Sequence, residues 1–246
     1  MKGTRLGNVG LTLYNLVYWP YLLTSCTLLF FPALVIYALT FWDPKRRLLH
    51  RFTSLWGAHY LAWAPFASVE VEGRERCRDL PACVYVSNHQ SMVDILAVFA
   101  IRLPFLWVSK LENFYVPFLG WTMWLNNYVP VKRGNLASIR RMLRRCERAL
   151  QGGSSLFVFP EGTRSNDGNL KRFFRGAFWI AARNRVPVVP VIIDGTARIL
   201  PKSTFRIRPQ PVSVRLLDPI DPKAADYDSR KLRDLVHSVM SEAMRT

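Results

Sequence analysis

The sequence predicts an α/β fold: a mixed, mostly parallel central sheet flanked by helices, preceded by an N-terminal, membrane-embedded two-helix hairpin. Three observations carry this expectation. From residue 69 onward, short runs rich in Val, Ile and Phe alternate with segments whose apolar residues recur at helical spacing. Between Leu6 and Trp42 no residue is charged, and Leu11 to Trp42 is densely apolar and aromatic. No internal repeat or low-complexity linker interrupts the 246 residues, a length that suits one domain with a sizeable core.

The uncharged start is too long for one untilted bilayer span, which needs only about 20 residues. Pro20 and Pro32 are natural breaks, because proline removes a helical hydrogen bond and clashes with the preceding turn. Cations flank both ends: Lys2 and Arg5 before, Lys45, Arg46, Arg47 and Arg51 after. Positive flanks that both stay cytoplasmic favour a hairpin, with a single slanted helix as the alternative. A signal peptide would have a shorter apolar run and a small-residue cleavage site, which is not evident. Residues 1–42 are thus assigned to membrane-anchoring helices and residues 43–67 to an amphipathic connector. In the connector Leu48, Leu49, Phe52, Leu55, Trp56, Tyr60 and Trp63 are interleaved with basic residues. That pattern fits a helix lying at the membrane interface, or one packing its aromatic face on the next domain.

Residues 68–246 hold the α/β domain. Val69 to Glu72 and Ala82 to Ser87 read as strands, the second followed by a helix from about Ser91 to Ala100. Phe105 to Ser109 and Tyr128 to Val131 are further strands, separated by an apolar helical segment. Asn135 starts a helix with Leu136, Ile139, Leu143, Cys146 and Leu150 on one side, ended by Gly152 and Gly153. Leu156 to Phe159, Val186 to Ile193 and Val212 to Leu217 complete the strands. A last helix, Ser229 to Arg245, turns Leu232, Leu235, Val236, Val239 and Met240 inward.

Composition narrows the function classes. Half the residues are hydrophobic, and 34 Lys+Arg against 17 Asp+Glu give a net charge of +17. Such an excess points to nucleic acid, an acidic membrane surface or phosphorylated substrates. A nucleic-acid binder is disfavoured, since no recognition module is present and the uncharged start would go unexplained. Cys26, Cys77, Cys83 and Cys146 lack zinc-site spacing and a disulfide framework, which fits a reduced, cytosol-facing domain; no metal site is evident.

The chemistry-bearing residues sit at strand ends, where α/β sheets place their sites. His89 lies on the turn between a strand and a helix, and Asp94 five residues on. From there the carboxylate can reach back to one imidazole nitrogen and leave the other to accept a proton. Such a pair can deprotonate an acceptor hydroxyl directly, without a serine, cysteine or metal. A second strand ends in Pro160-Glu161-Gly162-Thr163-Arg164, where Glu161 could hold a hydroxyl and Arg164 could grip phosphate. Lys132 and Arg133 close another strand, and Lys110 the one before it. Between residues 131 and 185, 13 Lys+Arg stand against 3 Asp+Glu. Arg140, Arg141, Arg144, Arg145 and Arg148 read as a solvated or membrane-facing helix surface, so the turn cations are the better phosphate ligands. Lys171, Arg172 and Arg175 fit either substrate phosphate or a plain surface. Asn88 and Ser91 are candidates for orienting the site, with packing or helix capping as the alternative for Ser91.

Asn88-His89-Gln90-Ser91 with Asp94, followed about seventy residues later by Phe159-Pro160-Glu161-Gly162-Thr163-Arg164, resembles the glycerolipid acyltransferases of the 1-acylglycerol-3-phosphate O-acyltransferase type. Lys110-Leu111-Glu112 through Arg133 resembles the family's second motif, and Val188-Val189-Pro190-Val191 its fourth. The resemblance covers roughly residues 65 to 220. It implies transfer of a fatty acyl group from acyl-CoA or acyl carrier protein to the sn-2 hydroxyl of lysophosphatidate, with no cofactor. It also implies His89 as base, Asp94 as its partner, Glu161 with Gly162 and Thr163 at the acceptor, and Arg133, Arg164 and Lys110 as phosphate ligands, with Asn88, Ser91 and Lys171 in support. The implied partners are a lysophospholipid and a membrane with anionic lipids, and the implied setting is a membrane (the inner or plasma membrane if the source is bacterial) with the catalytic domain on its cytoplasmic side. The second motif often carries an aspartate where Lys132 stands, so other acceptors remain open: another lysophospholipid, glycerol phosphate or a lyso-ornithine lipid. A basic membrane-binding protein without chemistry and a hydrolase using the same pair are the readings of other classes.

Overall fold

The computed structural model describes residues 7–62, 68–165, 168–201, 204–208 and 210–245. Its centre is a seven-stranded sheet made of β1 (Val69–Glu72), β2 (Val84–Ser87), β3 (Leu106–Lys110), β4 (Val129–Val131), β5 (Leu156–Val158), β6 (Val188–Asp194) and β7 (Val212–Leu216). The spatial order is β1-β7-β6-β2-β5-β3-β4. Neighbours from β6 to β4 are all parallel, whereas β7 pairs antiparallel with β6 and parallel with β1. The mixed, mostly parallel sheet expected from the alternation is therefore present, with strand limits shifted by one or two residues.

Helices cover both faces. On one lie α1 (Asn8–Leu39), α2 (Arg47–Ala62), α3 (Val93–Phe99) and α4 (Leu119–Leu125), linked by α1–α2, α2–α3 and α1–α4 packing. The other carries α5 (Leu136–Gln151), α6 (Gly176–Asn184) and α8 (Ser229–Ala243), with α6 packed between the other two; a single turn, α7 (Thr196–Ile199), follows β6. This division follows from right-handed crossovers, since β2→β3→β4 steps one way along the sheet and β4→β5→β6 the other. Helix α6 has no clean polar stripe, because Ala177, Phe178, Ile180, Ala181 and Ala182 are all buried, and its sequence gave no amphipathic signal.

The amino-terminal segment departs from the expectation. It is one helix that runs through Pro20 and Pro32 without a break. Inside a bilayer, a break would strand several backbone groups and cost more than the one bond each proline removes. The two-helix arrangement is instead α1 with α2, joined through Thr40–Arg46. There Asp43 accepts the Leu48 N–H at 3.0 Å and the Arg46 guanidinium sits 4.3 Å from the Tyr37 ring centroid. At about 1.5 Å per residue α1 is roughly 48 Å long, enough to cross a membrane at a slant. Its Leu13, Leu16, Val17, Leu23, Leu28, Phe31, Val35 and Leu39 point outward.

Helix α2 packs on the domain. Leu49, Trp56, Tyr60 and Leu61 are buried, while Leu48 and Leu55 stay exposed. Gly57 lets α2 approach α3, where a Cβ would meet the Phe99 ring at 2.4 Å. Trp63, expected on the same aromatic face, lies outside the described residues. Polar groups lock the helix down as well. His50 is buried with Nε2 3.2 Å from the Leu103 carbonyl and Nδ1 3.1 Å from the Tyr128 hydroxyl. A carbonyl only accepts, so Nε2 carries the proton and Nδ1 accepts from Tyr128.

Burial foremost, opposed by the Leu103 bond, pushes the His50 imidazole down to about 4. A depressed histidine withholds a proton that the unfolded chain would bind, so its contribution is full above pH 6.5 and is lost as pH falls toward 4. In His50→Gln this part of the acid slope of stability disappears, as followed by denaturant unfolding in detergent between pH 4 and 7. A wild-type slope retained in the variant would remove His50 as its source.

Candidate active site

Parallel strands bring their carboxyl ends to one edge, and the register determines what meets there. Val86 pairs with Val158, so His89 and Glu161, each three residues further on, come together. Ser87 pairs with Val191, which carries the end of β6 and Thr196 to the same turn. Lys110 pairs with Val131, which sets Lys132 and Arg133 just beyond it.

His89 Nδ1 lies 2.7 Å from Asp94 Oδ2. The same oxygen accepts the backbone N–H groups of Gln90 at 2.6 Å and Ser91 at 2.9 Å, as a carboxylate in the first turn of α3 can. The Thr196 hydroxyl donates to Asp94 Oδ1. Asp94 and Thr196 are fully buried. Four donors therefore converge on one carboxylate, and their hydrogen bonds offset its desolvation. The His89 ring stacks on Phe159, centroids 4.1 Å apart and planes at 15°, and its side chain is 15 % exposed. With Nδ1–H donated to Asp94, Nε2 carries the lone pair and is the atom left to take a proton.

The main chain of His89 is held from β5. Its N–H donates to Glu161 Oε1 at 2.9 Å, and its carbonyl accepts the Ser165 N–H at 2.7 Å. Glu161 Oε2 accepts the Lys171 N–H at 3.3 Å. Both carboxylate oxygens thus accept a backbone N–H, so Glu161 braces two turns at the place where the sequence expects an acceptor hydroxyl. Burial foremost raises the Glu161 carboxyl to about 7, against the pull of those two N–H donors; the residue is 3 % exposed. Lys171 also turns inward, its Nζ donating to the Arg164 carbonyl at 2.9 Å, which spans the Gly162–Lys171 loop rather than reaching toward a phosphate. Gly162 has φ +69, and a Cβ there would strike the Phe174 ring at 2.7 Å. Thr163 is exposed.

Asn88 and Ser91 are also structural. Asn88 exchanges two hydrogen bonds with the Ile193 backbone, at 2.8 and 2.9 Å. The Ser91 hydroxyl donates to the Leu200 carbonyl at 2.9 Å and accepts from Val93 N–H at 3.3 Å, the capping alternative. Together with Thr196–Asp94 they fasten the catalytic turn to β6 and α7 at three points. Thr196 was not anticipated, yet its signal was present: Asp194-Gly195-Thr196 follows a buried strand, the same position that marked His89 and Glu161.

The cations are arranged laterally. Lys110 ends β3 and Arg133 follows β4, two and three strands from His89, which is about 10 and 14 Å at normal strand spacing. Lys110 and Arg133 are exposed and Arg164 is half-buried; none has a carboxylate partner among the described residues. The site therefore places an imidazole at the end of β2 and, beyond β5, β3 and β4, cations that have no carboxylate partner among the described residues.

Because the Glu161 carboxyl is raised above its unfolded value, its contribution to stability is full below pH 4.5 and is lost as pH rises through about 7. That slope opposes the His50 slope over a shared window. Glu161→Gln keeps one acceptor for the His89 N–H and removes the charge, and stability measured by denaturant unfolding from pH 4 to 8 then rises with pH over the window. An unaltered pH profile in the variant would refute the buried-carboxyl assignment.

Comparison with known proteins agrees with this geometry. The family model described as Acyltransferase matches residues 68–194. A chloroplastic 1-acyl-sn-glycerol-3-phosphate acyltransferase of Arabidopsis thaliana is 43% identical over 162 residues, covering 65% of this chain and 45% of that protein. Another protein with that activity in its name, from Chlamydomonas reinhardtii, is 37% identical over 201 residues, covering 80% and 60%. The chain thus spans about half the length of these curated relatives. The crystal structure of the 1-acyl-sn-glycerophosphate acyltransferase PlsC from Thermotoga maritima aligns with a TM-score of 0.81 at 28% identity, over 96% of each chain. With a family model matching more than half its length over the segment that holds the His89–Asp94 pair, the chain belongs to the Acyltransferase family.

Proposed function

We propose that this chain transfers a fatty acyl group from an acyl thioester to the sn-2 hydroxyl of lysophosphatidate, giving phosphatidate. The observation that carries the reading is the His89–Asp94 pair, whose Nε2 has no hydrogen-bond partner among the described residues, on the strand edge that also bears Lys110, Arg133 and Arg164. Relatives named for the same reaction support it.

In this reading the acceptor hydroxyl attacks the thioester carbonyl while His89 Nε2 takes its proton. Asp94 holds the tautomer and stabilises the imidazolium that forms. Collapse of the tetrahedral species breaks the C–S bond, and the same proton passes from Nε2 to the departing thiolate. No acyl-enzyme is needed, which fits a site whose reactive centre is a histidine. Arg164, Arg133 and Lys110 hold the phosphate of the acceptor. Their open, unpaired state suits a ligand that brings its own negative charge. The donor is acyl-CoA or acyl carrier protein. Helix α1 attaches the chain to the membrane, with the catalytic domain on the cytoplasmic side, so a substrate chain can enter without crossing water.

Purified protein incubated with lysophosphatidate and long-chain acyl-CoA, or with acyl carrier protein as donor, should yield phosphatidate by mass spectrometry. Removing the base in His89→Ala should cost about 10²- to 10⁴-fold in kcat, and full activity in that variant would refute the mechanism. Thr196→Val leaves Asp94 Oδ1 without a donor and should lower kcat roughly 10- to 100-fold with KM little changed, while Thr196→Ser restores it. Arg164→Ala should act mainly on KM for the acceptor. Product from another lysolipid but none from lysophosphatidate would keep the chemistry and replace the acceptor.

A further inference from the structure

Asp94 accounts for one edge of the His89 imidazole and leaves the two ring faces to other residues. One face is taken by Phe159, with centroids 4.1 Å apart and planes at 15°. Trp107 stacks on Phe159 in turn, at 5.4 Å and 25°. Phe157 meets the same phenyl ring edge-on at 5.7 Å and lies 4.7 Å from Trp107. The register explains the grouping, since Trp107 pairs with Phe157 across β3 and β5, and Phe159 stands two residues further along. Trp107 is buried and wedged edge-on against Phe99 and Phe105, at 6.0 and 5.2 Å. Its Nε1 has no hydrogen-bond partner among the described residues, so the indole is placed by ring packing alone. A row of near-parallel rings thus leads from the core to the base.

Stacked on neutral imidazole, a phenyl ring is ordinary packing. Stacked on imidazolium it is an electrostatic contact, because an aromatic face is negative and attracts a cation within about 6 Å of its centroid. In the proposed reaction His89 becomes that cation only as the proton moves. A contact that strengthens in that state and not before it raises the rate rather than the affinity. The local charge gives the contact a task. Lys110, Arg133 and Arg164 stand on the same edge without a carboxylate partner among the described residues, and their field opposes a further positive charge. A second carboxylate beside the imidazole would offset that field, but it would also repel the phosphate of an acceptor. An aromatic face favours the cation and carries no net charge.

We propose that Phe159, backed by Trp107, is a positioning residue for the base, and that its ring face stabilises the imidazolium His89 forms as the acceptor gives up its proton. Asp94 acts on the same cation in the plane of the ring, and Phe159 acts through its face. This rests on the acyl-transfer reading above, and a readout without turnover separates the two.

In the full-length protein, Phe159 is replaced in turn by mono-, tri- and pentafluorinated phenylalanine, a series that drains the ring face of negative charge at nearly constant shape. For phosphatidate formation kcat is expected to fall at each step, by roughly 2- to 30-fold over the series, with KM little changed. Phe159→Leu, which removes the ring, is expected to fall at least as far. A flat kcat along the fluorinated series, with a loss only in Phe159→Leu, would overturn the proposal, since the ring would then serve packing alone. The readout without turnover is the imidazolium fraction of His89 at one fixed pH, from ring-nitrogen resonances of labelled histidine in detergent. His89→Gln assigns its signal among the four histidines. The fraction is expected to fall along the same series, while Asp94 and Glu161, the carboxylates bonded to the His89 ring and main chain, are the same in every variant. A fraction that falls in a protein forming no phosphatidate would leave the proposal standing and refute the acyl-transfer reading. A fraction that stays constant would overturn the proposal whatever the rate does.

Discussion

The Asp94 carboxylate is the constraint on which the rest of the site depends. A fully buried carboxylate is tolerated only where donors replace its water, and here they come from an imidazole, two backbone amides and a threonine hydroxyl. Three of the donors come from the consecutive residues His89, Gln90 and Ser91 of the turn after β2 and the fourth from Thr196 after β6, while the carboxylate itself sits in α3. Satisfying one charge therefore fixes three segments relative to each other, and the tautomer of His89 follows from that. The residues around it extend the arrangement. Glu161 ties the His89 backbone to the β5 turn, and Asn88 and Ser91 tie it to β6 and α7.

The sheet makes this possible because neighbouring parallel strands end together. A mixed topology adds one detail of consequence. Since β7 returns antiparallel to β6, the connection between them lies on the active edge. It supplies Thr196 to the dyad, Leu200 to Ser91, and Phe205 and Ile207 to α1. One connection thus joins the chemistry to the amino-terminal helix, which couples the position of α1 to the geometry of the carboxylate.

Sequence reading succeeded where the signal was local. Strand alternation, the α5 cap at Asn135 and the His89–Asp94 spacing all depend on nearby residues, and all are present. It erred where the outcome depended on surroundings. Pro20 and Pro32 read as breaks because proline costs a bond in water, but inside a bilayer a helix loses more by unwinding. Helix α6 was missed because a helix buried on most sides has no period to detect. For Glu161, expected at the acceptor, and Lys171, left open between substrate phosphate and a plain surface, the backbone partners are groups that only the fold brings near. Thr196 carried the local signal of a strand end, but its pairing with Asp94 depends on β6 lying beside β2, and that adjacency is not written in either strand.

A histidine that activates an alcohol can activate water just as well, so transfer requires that water be scarce at the donor carbonyl. The dyad alone does not provide this, since the His89 side chain is partly exposed on an open edge. Phe159, stacked on the imidazole, covers one ring face and leaves the nitrogen edge as the approach. In the proposed reaction the acceptor hydroxyl must therefore hold that edge in place of water. Cations at the ends of β3 and β4 would draw the acceptor phosphate sideways and turn the hydroxyl toward Nε2, so that acceptor selectivity and suppression of hydrolysis would share one origin, the seating of the lysolipid along the strand edge.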